Sequence, residues 1–115
     1  MKVRIKGNSL RYRLTKSDFT NLLGELALTE CSEFLSNTFV YGIEVTANEE
    51  LSADFKDNNI ILQLPSTMLL ELVKTDRVGF SGHSGAVSLL IEKDFTCLDN
   101  VEEDQSDHFP NPLLQ

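Results

Sequence analysis

Lys6-Gly7-Asn8-Ser9-Leu10 recurs 50 positions later as Lys56-Asp57-Asn58-Asn59-Ile60, and the fold class follows from that recurrence. The match continues downstream. Leu14 aligns with Leu64, Phe19 with Leu69, Leu22 with Leu72 and Leu23 with Val73. A second match, at a slightly shorter offset, sets Tyr41-Gly42-Ile43-Glu44 against Leu89-Leu90-Ile91-Glu92. Repetition on this scale marks a duplicated supersecondary unit.

Each copy reads the same way. Val3 and Ile5 alternate with Lys2, Arg4 and Lys6, which is the period of a half-buried strand. Gly7-Asn8 is a two-residue turn, and Leu10, Tyr12 and Leu14 then alternate with Arg11 and Arg13, completing a hairpin. Thr15 caps a following helix, with Asp18 in the capping-box position. Phe19, Leu22, Leu23 and Leu26 form its apolar stripe. Strands are predicted at about 31–35 and 39–46, with Ser36-Asn37-Thr38 as the turn. In the second copy Ala53 and Phe55, then Ile60, Leu62 and Leu64, flank an Asp57-Asn58 turn. Pro65 opens a helix with the stripe Leu69, Leu72 and Val73. Val78-Gly79-Phe80 and Val87 to Phe95 close it, through a loop containing Gly82 and Gly85.

The expected fold is therefore α+β: a duplicated ββαββ unit whose mainly antiparallel sheet carries two helices on one face. An alternative is that the sheet curls into a barrel, which would remove its edges. The predicted single domain spans 1–98, with repeats at about 1–46 and 51–95. Phe19, Leu22, Leu23, Leu69, Leu72 and Val73 are expected to pack on the sheet. Residues 99–115 change character, carrying acids, Ser106, Pro110 and Pro112. They read as an acidic tail, and Phe109 is its candidate point of docking.

At 115 residues the chain is too short for two independent cores. No apolar run approaches the roughly 20 residues that span a bilayer, and the N-terminus lacks the apolar core of a signal peptide. A cytoplasmic location is expected. Cys31 and Cys97 are then free thiols, read as small buried apolar residues.

Charge is distributed unevenly. The net charge is −8, which argues against general nucleic-acid affinity. Yet Lys2, Arg4, Lys6, Arg11, Arg13 and Lys16 crowd the first sixteen positions. The Gly7-Asn8 turn fixes the register of the hairpin, so that Arg4 faces Arg11 and Lys2 faces Arg13. Like charges directly opposite cost about 0.2–1 kcal/mol per pair, so something must offset them. Glu44, Glu92 and Asp94 are the internal candidates, with Glu44 and Glu92 at equivalent places in the two copies. A bound phosphate, nucleotide or carboxylate held by Lys2, Arg4, Arg11 and Arg13 is the external one, since guanidinium forks suit bidentate oxyanions. The acidic tail is a third. In the second copy Asp54, Ile61 and Gln63 stand where the first has Arg4, Arg11 and Arg13, so the fold itself does not demand cations there.

Other chemistry is thin. His83 lies in a Gly82-His83-Ser84-Gly85 loop with no adjacent acid. His108 sits beside Asp107, where an oxygen-rich tail would allow a weak divalent-cation contact. No nucleophile, Walker, Rossmann or zinc signature is readable, so neither a cofactor nor a structural metal is expected.

Arg4-Ile5-Lys6-Gly7-Asn8-Ser9-Leu10-Arg11-Tyr12-Arg13-Leu14-Thr15, Glu92-Lys93-Asp94-Phe95-Thr96-Cys97-Leu98 and Asp104-Gln105-Ser106-Asp107-His108-Phe109-Pro110-Asn111-Pro112 resemble the motifs of a family of small uncharacterised bacterial proteins. That resemblance implies a bacterial cytoplasmic protein, nothing catalytic, and a tail that belongs to the domain. A weaker likeness is to the triphosphate-tunnel barrels, whose acidic strand reads E-x-E-x-K. Here Glu92-Lys93-Asp94 gives E-x-D, and Thr96 replaces the lysine. What remains of that likeness is a basic, acid-rimmed concavity. The functional expectation is a non-enzymatic interaction or regulatory module, working with a protein partner or as a homodimer. The alternative is a small-anion, polyanion or nucleotide site on the basic hairpin.

Overall fold

A computed structural model of the protein describes residues 1–95 and 107–110. The duplicated unit is present. The first copy is β1 (Lys2–Lys6), β2 (Ser9–Leu14), α1 (Lys16–Glu25), β3 (Ala27–Glu33) and β4 (Thr38–Thr46). The second is β5 (Ser52–Lys56), β6 (Asn59–Pro65), α2 (Ser66–Lys74), β7 (Gly79–Ser84) and β8 (Val87–Lys93). The class is α+β.

The strands do not share one sheet. They form two four-stranded mixed sheets, β1-β2-β8-β7 and β3-β4-β6-β5. Every hairpin is antiparallel, as expected, but each sheet is joined at its centre by a parallel pair, β2 with β8 and β4 with β6. Each copy therefore gives its first hairpin to one sheet and its second to the other. Among the described residues the sheets do not close into a barrel. Parallel neighbours need a long crossover rather than a tight turn. Such a pairing between copies leaves no local trace in the sequence, which is why one continuous sheet was expected.

Turn chemistry sets the hairpins. Gly7 takes φ 54°, the positive value that a glycine at the first turn position adopts without strain. Asp57 and Asn58 are both left-handed, at 52° and 65°, as a type I′ turn requires. The register is Lys2 opposite Arg13, Arg4 opposite Arg11 and Ile5 opposite Leu10. Boundaries moved elsewhere. β3 begins earlier than predicted, at Ala27, and its turn to β4 occupies 34–37. Gly82 lies within β7, so the closing turn is Gly85-Ala86.

The inward rows of both sheets and one row of each helix make a single buried cluster. Leu10, Tyr12 and Leu14 meet Leu62 and Leu64, with Ile43, Leu89 and Ile91 beside them. Tyr12 is wholly buried, and its hydroxyl donates to the Ile60 carbonyl at 3.3 Å, bridging the two sheets. Burial pushes this phenol well above its ordinary pKa. The helices add Phe19, Leu22, Leu69 and Leu72. Leu23 and Val73, which the apolar stripe assigned to the core, are 43% and 42% exposed. Helices of ten and nine residues offer one row to the core, and the adjacent row faces outward. Cys31, expected to be buried, is exposed, on an edge strand of the second sheet. Cys97 lies outside the described residues.

The first helix is capped as predicted. The Thr15 hydroxyl accepts from the Asp18 amide at 3.3 Å, and the Asp18 carboxylate accepts from the Thr15 amide at 2.9 Å. The same carboxylate lies 2.8 Å from the Met1 amino group.

Two glycines separate packing from propensity. A Cβ on Gly42 would overlap the Leu28 carbonyl and come within 2.6 Å of Thr29 Cγ2, whereas one on Gly24, in α1, meets nothing. Gly42→Ala should cost about 1–3 kcal/mol through overpacking, and Gly24→Ala should gain up to about 1 kcal/mol from helix propensity. Urea unfolding of both variants checks the pair; equal effects would contradict the packing at Gly42.

Candidate functional site

The cation row predicted from the hairpin lies on the outer face of the first sheet. Across that face the register runs Lys2, Arg13, Glu92 and Gly79 in one row, and Arg4, Arg11, Leu90 and Ser81 in the next. Glu92 sits between the arginines. Its Oε1 accepts from Arg11 Nε at 2.6 Å and from Arg13 Nε at 3.1 Å, with only 14% of its side chain exposed. Lys2 Nζ lies 3.5 Å from the buried Asp94 Oδ2. Arg4 has no charged partner among the described residues, so three of the four predicted cations are drawn together with Glu92 and Asp94, and Arg4 stands apart.

Glu44 does not join them. It lies on the outer face of the other sheet, opposite Gln63 and Ala27. Its position repeats that of Glu92: Glu92 pairs with Arg13 as Glu44 pairs with Gln63. The sequence identified the two glutamates as equivalents. The exchange of hairpins then separates them onto different sheets.

The basic face is not a concavity. Its side chains point away from the core, so among the described residues the arginines line no tunnel. A concave feature lies elsewhere, a cleft of about 750 Å³ between the turn end of the first sheet and the β5–β6 hairpin. Its apolar walls come in repeat-equivalent pairs, Ile5 with Phe55 and Leu10 with Ile60. Ile5 and Phe55 are 57% and 60% exposed despite their apolar character. Val87 adds to the apolar wall and Ser9 and Ser84 supply polar groups, while Glu44, Asp54 and Gln63 border the cleft from the outer face of the second sheet. The Ser84 hydroxyl donates to the Ala53 carbonyl at 2.7 Å and links the edges of the two sheets. Sequence reasoning missed this cleft. Its signal was an apolar residue two positions before the turn of both first hairpins, Ile5 and Phe55, where a solvated hairpin end would carry polar ones.

The 107–110 segment returns to the start of α1. Asp107 Oδ1 accepts from the Ser17 amide at 3.2 Å and from the Ser17 hydroxyl at 3.1 Å. The Phe109 amide donates to the Asp94 carbonyl at 2.9 Å, and its ring lies edge-on to Phe19 at 5.7 Å. Lys93 Nζ donates to the Thr75 carbonyl at 3.0 Å and sits 5.1 Å over the same ring; burial lowers its pKa. His108 is buried, with Nε2 3.6 Å from Asp94 Oδ2. It thus turns inward toward Asp94 instead of standing with Asp107 as a surface cation contact. Among the described residues, no three His, Cys, Asp or Glu side chains are grouped to hold a metal ion. Nor does any helix among them have the length and apolarity to cross a membrane.

Two outcomes follow. Glu92→Gln removes the charge shared by two arginines and should lower stability by about 1–2 kcal/mol, whereas Arg4→Ala should stay within about 0.5 kcal/mol; denaturant unfolding compares them, and an equal loss would overturn the internal pairing. The hydrogen bonds from Thr15 and Ser17 hold Asp107 below the ordinary carboxylate pKa. A depressed folded pKa gives stability that is present above the unfolded value and lost as pH falls through the folded one. The melting-temperature gap between the natural protein and Asp107→Asn should thus be full at neutral pH and shrink below about pH 4; a gap independent of pH would sink this role.

No curated protein and no solved structure matches the chain. One family model matches, across residues 1–113. With nearly its whole length covered, the chain belongs to a family of unknown function (DUF7009).

Proposed function

We propose that this chain is a non-enzymatic binding module, and that its cleft, not its basic face, receives the ligand. One observation carries the reading: Ile5 and Phe55, equivalent in the two copies, stay more than half exposed and line the same cleft. Exposed apolar side chains gathered in a concavity mark a binding site, whereas singly scattered ones need no explanation. The cleft's volume falls in the range of small-molecule sites, and its wall mixes apolar surface with a few polar groups. The anion alternative has less support, because Arg11 and Arg13 already share Glu92 and Lys2 lies at Asp94. A catalytic reading would need a nucleophile beside a base. Among the described residues the cleft's Ser84 instead donates to the Ala53 carbonyl and Ser52 to Gln63 Oε1.

The test uses N-phenyl-1-naphthylamine, a neutral apolar fluorophore. Its emission should rise on adding the folded protein, and the rise should fall at least fivefold in Phe55→Ser and in Ile5→Ser. Both side chains are exposed, so the variants should stay folded, which circular dichroism verifies. No enhancement, or enhancement that both variants retain, would overturn the cleft as a binding site.

A further inference from the structure

Four strands end the two sheets, β1 and β7 in the first, β3 and β5 in the second. An edge strand presents a row of unpaired amides and carbonyls, a template for another chain unless something guards it. Three of these edges are guarded. β1 carries Lys2, Arg4 and Lys6. On β5 the Ala53 carbonyl accepts from the Ser84 hydroxyl, and the Phe55 amide donates to Asp54 Oδ1. On β7 the Gly79 carbonyl accepts from Arg77 Nε at 3.0 Å. Among the described residues β3 has no such guard. It runs for seven residues without a proline, lysine or arginine, and every residue from 29 to 38 is exposed.

The ladder to β4 fixes which groups of β3 face outward. The Leu26 carbonyl accepts from the Val45 amide at 2.9 Å, and the Phe34 amide donates to the Asn37 carbonyl at 2.8 Å, so the even-numbered residues bond to β4. Ala27, Thr29, Cys31 and Glu33 then direct their amides and carbonyls away from the sheet. The turn that follows is longer than its counterpart in the second copy. Gly85-Ala86 alone joins β7 to β8, whereas residues 34–37 join β3 to β4. That longer turn carries Phe34 and Leu35, both exposed.

We infer that β3 pairs antiparallel with β3 of a second copy of this chain, with a two-fold axis at Cys31, so that two four-stranded sheets become one continuous sheet. Antiparallel bonding joins outward residues to outward residues, and an isologous pairing sets one residue opposite itself. With Cys31 opposite Cys31, Thr29 faces Glu33 and Glu30 faces Ser32 of the other copy. Each carboxylate meets a hydroxyl. The exposed Phe34 meets the half-buried Leu28, and Leu35 meets Ala27. An axis at Glu30 would instead set two glutamates face to face, which is destabilising. The pairing is independent of what the cleft binds: β5, which borders the cleft, is the opposite edge of the same sheet, so both clefts stay open.

Sedimentation velocity of the full chain, with reductant present, should show a monomer–dimer equilibrium between about 10 µM and 1 mM. Cys31→Pro removes an outward amide and leaves the β3–β4 ladder whole, so the chain should fold and its dimer weaken at least about tenfold. Phe34→Ser removes the apolar contact twice per dimer and should also weaken it about tenfold or more. Ser81→Pro, at the matching outward position of β7, should leave the dimer unchanged. Circular dichroism verifies each fold; if Cys31→Pro does not fold, Phe34→Ser decides. In a mixture of labelled and unlabelled copies, isotope-filtered NMR should place the Glu30 α-proton against that of Ser32 in the other copy. A monomer throughout, a dimer that folded Cys31→Pro or Phe34→Ser does not weaken, loss of the dimer in folded Ser81→Pro, or an inter-copy contact of Glu30 with Glu30 would each overturn this pairing.

Discussion

The parallel pairing of β2 with β8 and of β6 with β4 is the constraint on which the molecule rests. Each copy's hairpins are too small to bury their own apolar faces, because a lone two-stranded ribbon is marginal in water. Laying a hairpin of one copy beside a hairpin of the other makes two sheets whose inner rows meet. Tyr12 marks the meeting. It is buried in one sheet, and its only polar atom reaches a backbone carbonyl of the opposite one. α1 carries the chain from the first sheet to the second, α2 carries it back, and each contributes two residues to the common core.

The same constraint decides what chemistry ends up where. Because the hairpins are exchanged, Arg11 and Arg13 of the first copy lie beside Glu92 of the second. Gln63 of the second copy lies beside Glu44 of the first. The first combination is saturated and builds a salt-bridged face. The second is unsaturated and borders a cleft. Duplication has kept the frame and changed its side chains: one outer face pairs its charges, and on the other Glu44 and Asp54 have no ion pair among the described residues.

Much of this was legible in residues that act locally. Gly7-Asn8 fixed the facing pairs of the first hairpin, Thr15 and Asp18 the start of α1, and the 50-residue match the repeated plan. Glu92 was readable as a partner of the arginines from its alternation with Ile91 alone. What could not be read depends on contacts between distant segments. No turn residue encodes the β2–β8 ladder, so the second sheet was invisible, and with it the separation of Glu44 from Glu92. A 3.6-residue stripe does not state its width, so Leu23 and Val73 looked identical to their buried neighbours. The cleft escaped for the same reason: Ile5 and Phe55 read as ordinary strand residues until the two hairpin ends were brought together.

The exchanged hairpins also order events in time. Ser9 to Leu14 can complete its parallel ladder only with Ser88 to Lys93, almost the full described length away. During synthesis the first hairpin must therefore wait, with one strand edge open, until the last strand of the second copy has left the ribosome. Long-range pairings of this kind slow folding because loop closure precedes any reward. Through that interval Arg4 facing Arg11 and Lys2 facing Arg13 give the waiting ribbon a dense positive surface. Strand edges that carry such charge resist pairing with copies of themselves. A motif that is a liability within the finished hairpin is thus a safeguard for the unfinished chain, and Glu92 neutralises it only when its own strand arrives.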